Sequence, residues 1–88
     1  MKLKEGIVLH TVNGEHMAIA TGKAAASFSG LVRNNETADF IYRCLLKETT
    51  PEEIAKALCG EYDVTFEKAL TDVQGILRKL EAAGLLEK

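Results

Sequence analysis

Asn13-Gly14, set between Ile7-Val8-Leu9-His10-Thr11-Val12 and Glu15-His16-Met17-Ala18-Ile19-Ala20, constrains this chain more than any other feature. Both turn residues tolerate positive φ, which a tight hairpin loop with the twist of its strands demands. A two-residue loop also fixes the register, with Val12 opposite Glu15, Thr11 opposite His16 and His10 opposite Met17. His10 and His16 then point to opposite sides of the ribbon and cannot share a metal ion.

Beyond the hairpin, the segment from Thr21 to Ser27 mixes a glycine turn signal with an alanine run and supports no single reading. Phe28 to Arg33 supplies a third, short strand, after which the apolar period changes from two to 3.6. Asn35 is an N-cap, with Glu36 and Asp39 in the first turn facing the positive end of the helix dipole. Ala38, Ile41, Tyr42, Leu45 and Leu46 form one apolar face of a first helix expected to run to about Lys47. Thr50-Pro51-Glu52-Glu53 reads as a capping box with proline at the first helical position, opening a second helix that ends near Gly60. A third helix starts near Thr65 and carries Phe66, Ala69, Leu70, Val73, Ile76, Leu77 and Leu80 in one stripe. Gly84 is placed to close it in the left-handed conformation, with Leu85 folding back on Leu80.

At 100° per residue the stripe of the third helix spans about 120°, generous for a domain this small, so part of it is free to meet something other than the core. Gly75 lies on the opposite, polar face, where glycine costs about 1 kcal/mol relative to alanine. It is either an ordinary surface substitution or room left for a partner. With 88 residues the chain fits one domain, and three short antiparallel strands followed by three helices make it an α+β domain of winged helix-turn-helix type.

Catalysis requires converging groups, and none are visible. Cys44 and Cys59 sit at helical apolar positions and read as reduced core thiols, and no C-x-x-C or H-E-x-x-H spacing exists. The domain is therefore expected to be non-enzymatic, without metal or cofactor. No apolar signal segment or membrane span is present, which makes the cytoplasm the expected compartment.

Nucleic acid is the main rival partner, because a winged helix invites it. The charge argues against it. The third helix, residues 65 to 83, carries three basic and three acidic side chains, and residues 51 to 64 carry one against four. Phosphates would be repelled by the second helix and not attracted by the third. A peptide that adds as a strand to an open sheet edge fits better, and Leu31 to Asn34 is the candidate edge, with Gly30 allowing close approach of a partner backbone. Such an edge can also pair with a second copy, so both a monomer and a weak homodimer are compatible with the sequence. A module that merely docks on an enzyme is the third possibility.

The run from Asn35 to Glu87 resembles the PqqD-like family, also called RiPP recognition elements. The resemblance rests on N-E-T-A at the first helix, T-P-E-E-I at the second, the Tyr62-Asp63-Val64 turn, Asp72-Val73, and Leu80-x-x-x-Gly84-Leu85-Leu86. The leading G-x-V-L hairpin matches more loosely. This resemblance implies a winged helix-turn-helix and a non-catalytic chaperone that binds the leader of a ribosomally made precursor peptide. It also implies a partner enzyme that modifies the peptide, often a radical SAM protein, as in pyrroloquinoline quinone biosynthesis. Carried onto this chain, it implies Leu31, Val32, Arg33 and Asn34 for backbone pairing and Val73, Ile76, Leu77 and Leu80 as an apolar wall. Asn34 departs from the family, which typically has leucine there.

Overall fold

Eight elements follow one another in a computed structural model that describes residues 1–22 and 31–87: β1 (Lys2–Leu3), β2 (Ile7–Val12), β3 (Glu15–Ala20), β4 (Leu31–Asn34), α1 (Glu36–Cys44), α2 (Pro51–Glu61), α3 (Phe66–Ala82) and β5 (Leu86–Glu87). Strands β2, β3 and β4 form an antiparallel sheet in that order, and three helices follow, which is the expected α+β arrangement. Asn13 and Gly14 both adopt positive φ, at 51° and 79°, and the register is the one the two-residue loop imposes. The expectations for residues 23–30, including the first half of the third strand and Gly30, lie outside the described residues.

Alternation divides the sheet into two faces. Leu9 and Ala18 face the helices, Ala18 being fully buried, with Thr11 and His16 further along the same face. Val8, Ile19 and Leu31 form a continuous cross-strand row on the other face, where Val8 and Leu31 are about half exposed. The core lies beneath the first face and is built from Ile41 within α1 and Leu45 just after it, Ile54 and Leu58 of α2, and Val73, Leu77 and Leu80 of α3. Each such side chain taken fully from water contributes about 1.5–3 kcal/mol.

Helix boundaries follow from their caps. Asn35 Oδ1 accepts the Ala38 N–H at 2.7 Å, Thr50 accepts that of Glu53 and Thr65 that of Lys68, both at 3.2 Å. At the far end of α3 the Leu85 N–H donates to the Leu80 carbonyl and the Gly84 N–H to that of Glu81, with Gly84 at φ 74°. That pattern is a complete Schellman motif.

Three features differ from expectation. Helix α1 stops at Cys44, about three residues short of Lys47, and Leu46 is half exposed instead of joining the core. The cause is β1: the Leu3 N–H takes the carbonyl of Leu45, which a continuing helix would need for itself. The second feature is β5, which pairs antiparallel with β1 so that Leu3 lies opposite Leu86. Phe66, expected in the stripe of α3, is 41% exposed because it opens the helix beyond the reach of the core.

Replacing Gly84 by alanine forces a side chain into the left-handed region and is expected to lower stability by about 1–2 kcal/mol, read from the denaturant midpoint. A second expectation concerns pH. Burial pushes the Tyr42 phenol above its ordinary value, and it does the same to the Cys44 thiol. As pH rises past about 10 the unfolded chain loses the tyrosine proton before the folded one does. The contribution is therefore complete below that pH and is lost as pH climbs through the raised folded value. Tyr42→Phe should flatten the alkaline fall of a stability profile, and an unchanged slope would contradict this assignment.

Candidate functional site

Strand β4 ends the sheet: β3 pairs along one side, and no strand among the described residues pairs along the other. An edge of this kind presents backbone donors and acceptors to an incoming chain. Strand β2 is the opposite edge, and a groove lies beside β4. That groove has a volume of about 560 Å³.

Three walls build it. Val32, Arg33 and Asn34 form the strand side. The end wall is the first turn of α1, through Thr37 and Ala38, with Tyr42 deeper in. Because Asn35 caps α1 immediately after β4, the chain passes from strand to helix within one residue and holds the two walls together. Tyr42 keeps its proton under all ordinary conditions and so offers a hydroxyl that can donate.

The third wall is α3. At 100° per residue, Thr71, Asp72, Gly75, Ile76 and Lys79 fall on an arc of about 140°, centred about 120° away from Ala69, Val73, Leu77 and Leu80. The first set faces the groove and the second faces the core. Of the four residues expected as an apolar wall, only Ile76 is placed in the groove. Val73, Leu77 and Leu80 are 0%, 8% and 2% exposed, because α3 needs that face to close the core against α2 and the end of the chain. Gly75, by contrast, lines the groove, and a Cβ built on it would meet no atom within 4 Å.

On the strand side, the structure brings Val32, Arg33 and Asn34 together at the groove and turns the Leu31 side chain to the outer sheet face. Gly30 lies outside the described residues. Asn34 pairs in register with His16 and shares its inward face. Next to them is Asp39, the first-turn carboxylate of α1, which is only 5% exposed. Asp39 Oδ2 accepts from Arg43 Nε at 2.7 Å and lies 3.4 Å from His16 Nδ1. Thr11 Oγ1 joins them, 2.9 Å from His16 Nδ1 and accepting from Arg43 Nη2 at 3.2 Å. This network fastens α1 to the hairpin beside the groove. The i, i+4 spacing of Asp39 and Arg43 was the one sequence signal for it.

Phe40 and Tyr62 meet edge to face at 5.7 Å, and the Tyr62 hydroxyl donates to Glu36 at 3.3 Å, so the turn before α3 is tied to the start of α1. Both tie points hold the end wall in position relative to α3. Among the described residues, no group of three or more His, Cys, Asp or Glu side chains could hold a metal ion. Among the same residues, no helix is long and apolar enough to cross a membrane.

Comparison with known proteins places this geometry. The solved structure "TbiB1 in Complex with the TbiA(beta) Leader Peptide" is 25% identical, with a TM-score of 0.77 over 99% of this chain and 95% of that one. "Lasso peptide synthetase B1 complexed with the leader peptide" is 22% identical and shares the fold, with a TM-score of 0.74 over 99% and 96%. No curated protein matches the chain. The family model described as coenzyme PQQ synthesis protein D matches residues 6–86, and with nearly the whole sequence covered, the chain belongs to the PqqD family.

Proposed function

We propose that this domain is a non-catalytic recognition element that binds the leader of a ribosomally made precursor peptide and presents it to a peptide-modifying enzyme. The observation that carries this reading is the open edge of β4 lying directly beside a groove walled by α1 and α3. An extended leader would add to β4 as a further strand, gaining main-chain hydrogen bonds, while every second side chain enters the groove. The two solved relatives are leader-peptide complexes, which supports a peptide as the occupant. The partner enzyme is a radical SAM protein or another peptide-modifying enzyme, and free thiols at Cys44 and Cys59 suit a cytoplasmic setting.

The test is an NMR titration with a cognate leader peptide. Amide shifts are expected in β4 and at Thr71, Asp72, Gly75, Ile76 and Lys79. Shifts confined to other elements, or none with that peptide, would overturn the reading. A duplex DNA titration is expected to leave those amides unmoved.

Gly75 supplies a sharper check. Its φ is not positive and a Cβ meets open space, so Gly75→Ala should raise stability by about 0.5–1 kcal/mol through helix propensity. Gly75→Trp would fill the groove and is expected to cut leader affinity at least about tenfold with the fold retained, as read by calorimetry and circular dichroism. Undiminished binding by the tryptophan variant would remove the groove from the site.

A further inference from the structure

Charge is distributed against the grain of the molecule at this groove. The chain as a whole carries −2, and residues 35 to 88 carry seven basic against eleven acidic side chains. Yet the charged residues lining the groove are Arg33, Lys79 and Asp72. Asp72 is already engaged by Lys68, one turn earlier on α3, at 3.8 Å. Arg33 and Lys79 are both exposed and make no ion pair with any described residue. Two cations with no ion-pair partner among the described residues thus flank the edge, Lys79 on the helix wall and Arg33 on β4 with its side chain toward the outer sheet face.

Resting on the leader-binding reading, we infer that the groove selects an acidic peptide, with carboxylates against Arg33 and Lys79 and an aliphatic side chain over Val32 and Ile76. The pleat assigns the positions. A peptide residue paired opposite Arg33 points to the outer sheet face with it, where an opposite charge is a favourable cross-strand neighbour. Residues on either side of it point inward, toward Val32, Asn34 and the α3 wall. Ile76, the groove residue at the border of the core face, supplies the apolar contact. Thr37 and Thr71 add neutral hydrogen-bonding groups and no competing charge.

The overall negative charge does not defeat this arrangement. At physiological ionic strength, charges farther away than about 8 Å are largely screened. The acidic side chains of α2 that produce the imbalance do not line the groove. Contact partners therefore decide the sign of the peptide, while the distant field only slows encounter modestly. A neutral leader would leave both cations solvated and gain nothing from them, and a basic leader would meet direct repulsion.

A randomised peptide display library, selected on the wild-type protein and counter-selected on Gly75→Trp, provides the test. Peptides lost on the groove-filled variant are groove-dependent by construction. The groove-dependent pool is expected to be enriched in Asp and Glu interleaved with aliphatic residues. Individual members should weaken about two- to fivefold on Arg33→Gln and again on Lys79→Gln, as solvent-exposed pairs do, and should weaken as salt rises. The double charge reversal, Arg33→Glu with Lys79→Glu, should turn the selected pool basic. Circular dichroism confirms folding of each variant. A groove-dependent pool of neutral or basic peptides, or an acidic one indifferent to both substitutions, would overturn the acidic preference and leave leader binding standing. Absence of any groove-dependent peptide would overturn both. Retention of nucleic acid at the same residues, with no peptide selected, would do so as well.

Discussion

Everything functional in this fold depends on how α1 is fastened to the sheet. The buried carboxylate of Asp39, held by Arg43 and flanked by His16 and Thr11, ties the helix to the hairpin on one side. On its other side Ile41 and Leu45 are sunk completely into the core shared with α2 and α3. The helix is thus a bracket between two halves that otherwise touch little. The span from β4 to α3 is a consequence of its placement, as is the groove between them. The Asp39–Arg43 pair, with its arginine half exposed, contributes little net stability by itself, since solvent screens the arginine and desolvation of Asp39 offsets much of the attraction. Its importance here is geometric, because the pair holds Arg43 where it donates to Thr11 of the hairpin at 3.2 Å and Asp39 where it lies 3.4 Å from His16.

A single helix performs two tasks in α3, and its angular economy explains the composition. The arc toward the core is narrow and strictly aliphatic or alanine, whereas the adjacent arc toward the groove mixes threonine, aspartate, glycine, isoleucine and lysine. Stability considerations account for the first set alone. The second contains a glycine in mid-helix, which such considerations would remove. The proposed binding role and folding pull in opposite directions at that position, and the fold tolerates the glycine because caps at Thr65 and Gly84 secure both ends of the helix.

The parts of this architecture that are legible from sequence are those with short-range causes. Asn13-Gly14 dictates the hairpin register, Asn35, Thr50 and Thr65 start helices through their own side chains, and Gly84 with Leu85 ends one. The parts that are not legible have long-range causes. Strands β1 and β5 are two residues each and pair across nearly the whole chain, so no periodicity announces them. The early stop of α1 follows from that same pairing, through the Leu3 N–H. The apolar stripe of α3 was visible, but its division was not: hydrophobicity marks what is buried, and the groove face is recognised by position rather than by character. Asp39 stands in the first turn of α1 as its sequence position indicates, but its burial against the hairpin depends on a long-range contact that the local pattern does not carry.

The alternation of β4 has one more consequence. Val32 and Asn34 look one way while Leu31 and Arg33 look the other, beside the Val8–Ile19–Leu31 row. Any strand laid against this edge is split in the same manner, and a slip of one residue exchanges its two sets of side chains completely. Such an edge discriminates phase as well as composition. Under the proposed leader binding, a peptide of suitable content in the wrong frame would be rejected as firmly as a wrong peptide, and the accepted one would be presented at a defined point along its length.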